Sequence, residues 1–189
     1  MNMIQKITIY PNRHEDQVIQ GALSNCLNRD IKKGLINVVF LENVYTYQKL
    51  SGGAKIDYLV IDGNVPIFGS ENWKLHKQHL ELAHQLVSFY DKIKSGQEIN
   101  RMEMSRVYIE SQKVSRQRSQ AILENVLEIS HEEGYTSPAI ICGRSHIEKG
   151  LKPIFDSEVF TFTLESCQDY IHLFEENKSS DYSIRKFSS

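Results

Sequence analysis

Residues Pro138 to Phe155 read PAIICGRSHIEKGLKPIF, and this stretch decides the fold. Ala139 to Cys142 are four consecutive small or β-branched apolar residues, which is typical of a strand buried on both faces of a parallel sheet. Gly143 ends that strand, and His146 opens a short helix. His146 is therefore predicted just beyond the carboxyl end of a central strand, where open α/β sheets bind their ligands.

Four other stretches predict strands around this one. Lys6 to Tyr10 alternates between apolar and polar residues, Ile36 to Leu41 is almost continuously apolar, and Asp57 to Ile61 reads DYLVI. Glu158 to Thr163 alternates strictly, which is typical of a sheet edge. Together with Ala139 to Cys142, these segments predict a largely parallel central sheet of four or five strands.

Helical periodicity connects the predicted strands. Apolar residues recur every three or four positions from Glu15 to Lys33, and two long helices between Asn72 and His131 form a predicted hairpin inserted before the central strand. Shorter helices are predicted at Tyr45 to Leu50 and Asp169 to Glu176. The prediction is an α/β fold with helices on both faces of the sheet, a single domain over residues 1–176, and a flexible polar tail at 177–189.

Composition excludes several classes of function. The 189 residues carry a formal charge of -2 and a pI near 6.4, which gives no basic surface for nucleic acid. No apolar run approaches the roughly 20 residues that a membrane span requires. The three cysteines form no CxxC pair, so a reducing, cytoplasmic location is expected and a cysteine zinc site is not.

Three potential metal ligands follow the predicted strands. His14 comes after the first strand, Glu42 closes the second, and His146 follows the central one. Two imidazoles and a carboxylate form the ligand set of many catalytic zinc, manganese or iron sites with an open water position. The alternative is that polar residues collect at strand ends anyway, with His14 in a turn and Glu42 as a cap.

Arg118 lies within an apolar stripe, four residues from both Val114 and Ile122, so it should point toward the sheet. A buried guanidinium needs a partner, which Glu42 or an oxyanion would supply. In the alternative interpretation, the stem of Arg118 crosses the core and its charged end reaches water.

Other polar residues have simpler interpretations. His76, His79 and His84 lack the spacing of an HExxH helix, so they are expected to be surface or helix-packing residues. Asp62 ends a predicted strand and belongs either to the same edge of the sheet or to an Asp-Gly turn. Cys142 is expected to be a buried small residue rather than a nucleophile.

In motif order, the chain resembles the TraB/Tiki group and its ChaN and erythromycin-esterase-like relatives. Pro11-Asn12-Arg13-His14 stands at the first G-x-x-H motif of that group, Phe40-Leu41-Glu42 at its acidic strand end, and Gly143-Arg144-Ser145-His146 at its second G-x-x-H. Arg118 with Ile122 matches an arginine-bearing helix. Phe68-Gly69-Ser70-Glu71 resembles the glycine-x-glutamate that precedes the helical insertion of the family.

This resemblance implies a metal-dependent hydrolase, peptidase-like or esterase-like, acting on a small molecule or peptide. It implies manganese, cobalt or zinc at His14, Glu42 and His146, with Arg118 and Glu71 as catalytic residues. Pro11 replaces the first glycine of the motif, and Asn12 stands where many relatives have glutamate. The loss of that carboxylate implies an alternative, namely a catalytically inactive relative that binds a small ligand or a protein.

Overall fold

The computed structural model describes Ile4, residues 6–13, 16–50, 53–56 and 58–147, and Leu151. Several sequence predictions lie outside these residues: His14, the strand at 158–163, the helix at 169–176 and the tail at 177–189. None of the helices in the described residues is long and apolar enough to cross a membrane.

The described residues form seven strands and four helices. In order, the elements are β1 (Thr8–Asn12), α1 (Gln17–Lys32), β2 (Val38–Tyr45), β3 (Lys49–Leu50), β4 (Ala54–Ile56), β5 (Leu59–Ile61), β6 (Ile67–Glu71), α2 (Trp73–Lys94), α3 (Arg101–Glu133), β7 (Pro138–Gly143) and α4 (Arg144–His146). Asparagine side chains cap the two long helices: Asn72 accepts hydrogen bonds at the start of α2, and Asn100 at the start of α3.

The main sheet has the strand order β1-β7-β2-β6-β3. β7 lies between β1 and β2, β6 lies beside β2, and these four strands are parallel, whereas β3 runs antiparallel to β6. The prediction of an α/β fold with a largely parallel sheet flanked by helices is confirmed. The stretch from Ala139 to Cys142 lies inside the sheet and is buried, as its composition predicts.

Three local segments differ from the sequence predictions. Leu59–Ile61 is not a parallel strand of the main sheet; it pairs antiparallel with Ala54–Ile56 in a separate two-stranded sheet, where Leu59 and Ile61 still bury their side chains in the core against α1. The sequence predicts only an irregular or short extended piece at Asn64 to Gly69, whereas Ile67–Glu71 takes the parallel position beside β2. The segment from Tyr45 to Leu50 is not helical, because β2 continues to Tyr45 and Lys49–Leu50 pairs with β6.

Each face of the sheet has its own apolar core. Alternate strand residues such as Leu41 and Ile141 pack with α1 on one face. Their neighbours, including Phe40 and Ile140, pack with Ile122 and other residues of α3 on the opposite face. Leu41 faces α1. Because strand side chains alternate between faces, Glu42, the next residue, lies on the opposite side, which is covered by α3.

A bulge in β2 lies beside Glu42. Leu41 pairs with Gly69 and Tyr45 pairs with Glu71, so β2 contains two more residues than β6 over this interval. Asn43 takes the left-handed conformation there, with φ of 66°, which asparagine tolerates better than most residues. A Cβ at Gly69 would collide with the backbone oxygens of Val44 and Tyr45, so the bulge requires glycine at this position.

Candidate functional site

A carboxylate and an imidazole meet at the carboxyl edge of the sheet. Glu42 lies where β2 begins to bulge, and His146 lies in α4, directly after β7. Oε1 of Glu42 is 3.1 Å from Nε2 of His146, and both side chains are nearly buried, with 9% and 3% of their surfaces exposed. The parallel pairing of β2 and β7 aligns these two strand ends and therefore produces the contact.

The backbone of β7 holds the second carboxylate oxygen of Glu42. The Gly143 N–H donates a hydrogen bond to Oε2. Burial raises the pKa of Glu42, but the hydrogen bond and charge of His146, the Gly143 N–H and the charge of Arg118 outweigh that effect and lower the pKa to about 2. Glu42 is therefore a carboxylate at neutral pH.

Ser119 fixes the other side of the His146 ring. Its Oγ lies 2.8 Å from Nδ1 of His146 and 3.0 Å from the Ser115 carbonyl oxygen in the preceding turn of α3. Ser119 is completely buried. The imidazole is thus held at both nitrogens, between a hydroxyl on α3 and a carboxylate on β2.

A buried ion pair lies next to this imidazole. Arg118 donates to both carboxylate oxygens of Glu71, from Nε to Oε1 at 3.3 Å and from Nη2 to Oε2 at 2.5 Å. The same Nη2 is 3.9 Å from Oε1 of Glu42. Arg118 is 5% exposed and Glu71 is 1% exposed, so Arg118 points inward, as its position in the apolar stripe predicts.

Two histidines of α2 adjoin the ion pair. Nδ1 of His76 is 3.1 Å from Nη2 of Arg118, and because a guanidinium can only donate, this ring nitrogen accepts the hydrogen bond. Nδ1 of His79 is buried without a hydrogen-bond partner among the described residues. Burial lowers the pKa of His79, and the charges of Arg118, His146 and His76 lower it further.

The structure brings together four of the five residues predicted for the site: Glu42, Glu71, Arg118 and His146. His14 lies outside the described residues. Asn12, at the end of β1, is buried and its Oδ1 lies 3.4 Å from Nε2 of Gln20. We call the group of Glu42, Glu71, His76, Arg118, Ser119 and His146 the buried cluster.

Two other residues discussed from the sequence can now be placed. Asp62 is exposed and forms an ion pair with Lys32 at 3.8 Å, beside the two-stranded sheet. Cys142 is buried, and its burial together with the charge of Glu42 raises the pKa of the thiol well above its usual value. A thiol with a raised pKa is a poor nucleophile, which agrees with the predicted structural role of Cys142.

Sequence reasoning missed two members of the buried cluster. His76 was expected to be a surface or helix-packing residue, yet it contacts the guanidinium of Arg118. Ser119 follows Arg118 directly in α3. The only indication in the sequence that Ser119 belongs to the cluster is its place next to an inward-facing arginine. Neither contact follows from helical spacing, because the partners lie on separate elements.

Carboxylate oxygen and imidazole nitrogen, the atom types that meet in the buried cluster, are also those that bind divalent metal ions. Metal bonds from oxygen and nitrogen are about 2.0–2.2 Å long, so the 3.1 Å between Glu42 Oε1 and His146 Nε2 suits two neighbouring ligands of one ion. Hydrogen bonds with Gly143 and Ser119 orient these two side chains, as hydrogen bonds orient the ligands in known metal sites. Within the described ranges, however, no group of three or more His, Cys, Asp or Glu residues could hold a metal ion.

Comparisons of this chain with known proteins found no matching family model, no matching curated protein and no matching solved structure. The resemblance to the TraB/Tiki group stays a prediction that depends on the motifs.

Proposed function

We propose that this chain is a metal-dependent hydrolase of the TraB/Tiki-like type, with α2 and α3 as its helical insertion. The contact between Glu42 and His146 beside the Arg118–Glu71 ion pair carries the proposal. Two ionisable pairs are buried side by side at the edge of the sheet where α/β proteins bind ligands. Burial of so many charged groups costs stability, and their clustering in one place is typical of a functional site.

In this proposal, Glu42 and His146 hold a divalent ion of manganese, cobalt or zinc, and His14 supplies the third ligand. A bound divalent ion lowers the pKa of its water and so supplies a nucleophile at neutral pH. The positive charge of Arg118, whose Nη2 is 3.9 Å from Glu42, would stabilise negative charge on the carbonyl oxygen of a substrate. Glu71 holds the guanidinium in place through two hydrogen bonds.

The predicted substrates are therefore peptides or esters, because their hydrolysis develops an oxyanion next to the nucleophile. His76 lies on the outer side of the cluster, with 23% of its side chain exposed. This histidine marks the side from which a substrate would reach Arg118.

A second candidate function is a catalytically inactive relative that binds a small ligand or a protein. The pairing of Arg118 favours this second function. Both carboxylate oxygens of Glu71 already accept hydrogen bonds from the guanidinium, so the charge of Arg118 is neutralised. Asn12 also stands at the position where a carboxylate would otherwise be available as a general base.

Metal analysis of the purified protein, with titration of Mn²⁺, Co²⁺ and Zn²⁺, tests the proposal. We expect near-stoichiometric binding and a rise in melting temperature on metal addition, because a ligand that prefers the folded state stabilises it. His146→Gln should abolish both effects while keeping a polar group in the buried space. His84→Gln is the matched control, since His84 is exposed on α2.

A lack of binding at sub-millimolar metal would contradict the metal-dependent hydrolase and favour the binding module. Binding that survives His146→Gln would contradict the assigned ligands. Assays with peptide and ester panels then separate the two candidate functions, and Arg118→Lys distinguishes catalysis from metal binding. This variant should lose turnover and retain the metal, because lysine cannot reproduce the two-pronged contact with Glu71.

A further inference from the structure

Helix α2 packs against the rest of the molecule along only one side. Its half-buried apolar residues recur at alternating spacings of four and three, and α2 and α3 pack against each other. These residues are Leu75, Leu82, Leu86 and Phe89, with His79 in the same series. None of the 22 residues of α2 is fully buried, so the helix retains surface for a second contact.

A second apolar series runs along an exposed side of α2. Trp73, Leu80 and Val87 are seven residues apart and are 56%, 45% and 57% exposed. Half-buried His76 and Ala83 lie between them and exposed Tyr90 follows, which gives the spacing of the a and d positions in a coiled coil. We call these six residues the exposed seam. Single exposed apolar residues are ordinary, but a heptad series on a helix predicts a helical partner.

We propose that the exposed seam binds the same seam of a second copy of this chain, with the two α2 helices antiparallel about a two-fold axis near Ala83. A two-fold contact uses the same patch on both copies, so it must be self-complementary. Ala83 lies at the middle of the seam, where a small side chain lets the two helices approach closely.

The antiparallel register satisfies this requirement. When Leu80 lies opposite the partner's Val87, Trp73 lies opposite the partner's Lys94, which provides a cation for the indole ring. The same register sets His76 opposite the partner's Asp91, with Lys77 next to that carboxylate. A parallel pairing would bring no such charge pair together, because Lys77 and Asp91 would then lie at different heights along the two helices.

The proposed dimer extends to the buried cluster. Nδ1 of His76 accepts a hydrogen bond from Arg118, so the partner's Asp91 would lie at the outer edge of that cluster. At 1.5 Å per residue, α2 is about 33 Å long, and one helix pair buries less area than a standard interface of about 800 Å² per partner. The expected affinity is therefore micromolar.

Sedimentation velocity of the full chain at about 5 to 200 µM tests for association, since an interface of this size should dissociate within that range. We expect a shift from monomer to dimer, and at least a tenfold weaker dimer after Leu80→Lys and Val87→Lys together. Gln85→Lys is the control, because Gln85 is exposed on α2 outside the seam. A monomer at every concentration overturns the proposal, as does a dimer that resists the double substitution.

Disulfide trapping tests the register in a Cys167→Ser background, where the remaining Cys26 and Cys142 are buried. Ala83→Cys should cross-link to itself, and Gln85→Cys should not. Leu80→Cys chains should cross-link to Val87→Cys chains but not to each other. Efficient self-linking of Leu80→Cys would mean a parallel pairing and would overturn the register. These tests need no enzymatic activity, so their outcome is separate from that of the proposed hydrolase.

Discussion

The carboxylate of Glu42 and the imidazole of His146 meet at 3.1 Å although Glu42 lies in β2 and His146 lies in the helix that follows β7. Gly143, the last residue of β7, binds the free oxygen of the same carboxylate. One carboxylate therefore joins the end of β2 both to the end of β7 and to the helix that follows it. The first prediction concerns the protonation of this residue.

Acid should destabilise the protein through Glu42. Its pKa of about 2 in the folded chain lies below the ordinary value of 4.5, so its contribution to stability is present above pH 4.5 and is lost as the pH falls toward 2. The shift corresponds to about 3 kcal/mol at most. Urea unfolding between pH 2.5 and 7 should show this loss in the wild type and a flatter profile in Glu42→Gln, and equal pH profiles would contradict the assignment.

Breaking the Arg118–Glu71 pair on one side should cost about 3–5 kcal/mol, because an unpaired charge is left buried. Arg118→Met and Glu71→Gln should therefore each lower the urea midpoint strongly. The double variant should recover part of the loss, since neither charge is then left alone. Losses that simply add in the double variant would show that the two side chains do not interact. Exposed Arg116, two residues from Arg118, provides the control substitution Arg116→Met.

Gly69→Ala should destabilise the protein by about 3 kcal/mol or more, because the new methyl group collides with the backbone of β2 at Val44 and Tyr45. Gly21→Ala is the matched control. An added Cβ at Gly21 meets nothing within 4 Å, and alanine is favoured over glycine inside a helix by up to about 1 kcal/mol. The melting temperature should fall for Gly69→Ala and rise for Gly21→Ala. An unchanged melting temperature in Gly69→Ala would mean that the bulge can accommodate a Cβ at this position.

Ser119→Ala should loosen His146, because it leaves Nδ1 of a buried ring without its partner at 2.8 Å. We expect a stability loss of about 1–3 kcal/mol. If the proposed metal binds, its affinity should fall by about 10- to 100-fold, as is usual when the partner of a ligating histidine is removed. Ser115→Ala, one turn earlier in α3, is the control. Unchanged metal affinity in Ser119→Ala would exclude an orienting role.

The correct predictions concern features that local residue patterns determine. The apolar run from Ala139 to Cys142 predicted a buried parallel strand, and the spacing of Arg118 within α3 predicted that it faces the sheet; both are observed. Glu42 and His146 were expected at one edge because parallel strands share their carboxyl ends, and they lie in contact. The function of this contact stays a prediction.

The errors arise where pairing between distant segments decides the structure. Leu59–Ile61 looks like a central strand because its side chains are apolar, yet it is buried by α1 rather than by position in the main sheet. Ile67–Glu71 contains Gly69 and lacks an alternating pattern, but its glycine allows the close approach to the β2 bulge. His76 enters the buried cluster only because α2 begins directly after Glu71, a relation that periodicity does not reveal.

Helix α2 fully buries none of its residues, and this has a consequence for how the molecule opens. Local unfolding costs least where few side chains leave a packed environment, so α2 should detach while the sheet stays folded. Detachment would remove His76 from Arg118 and admit water to the ion pair. Amide hydrogen exchange should therefore be much faster in α2 than in β7, and association through the exposed seam should slow it.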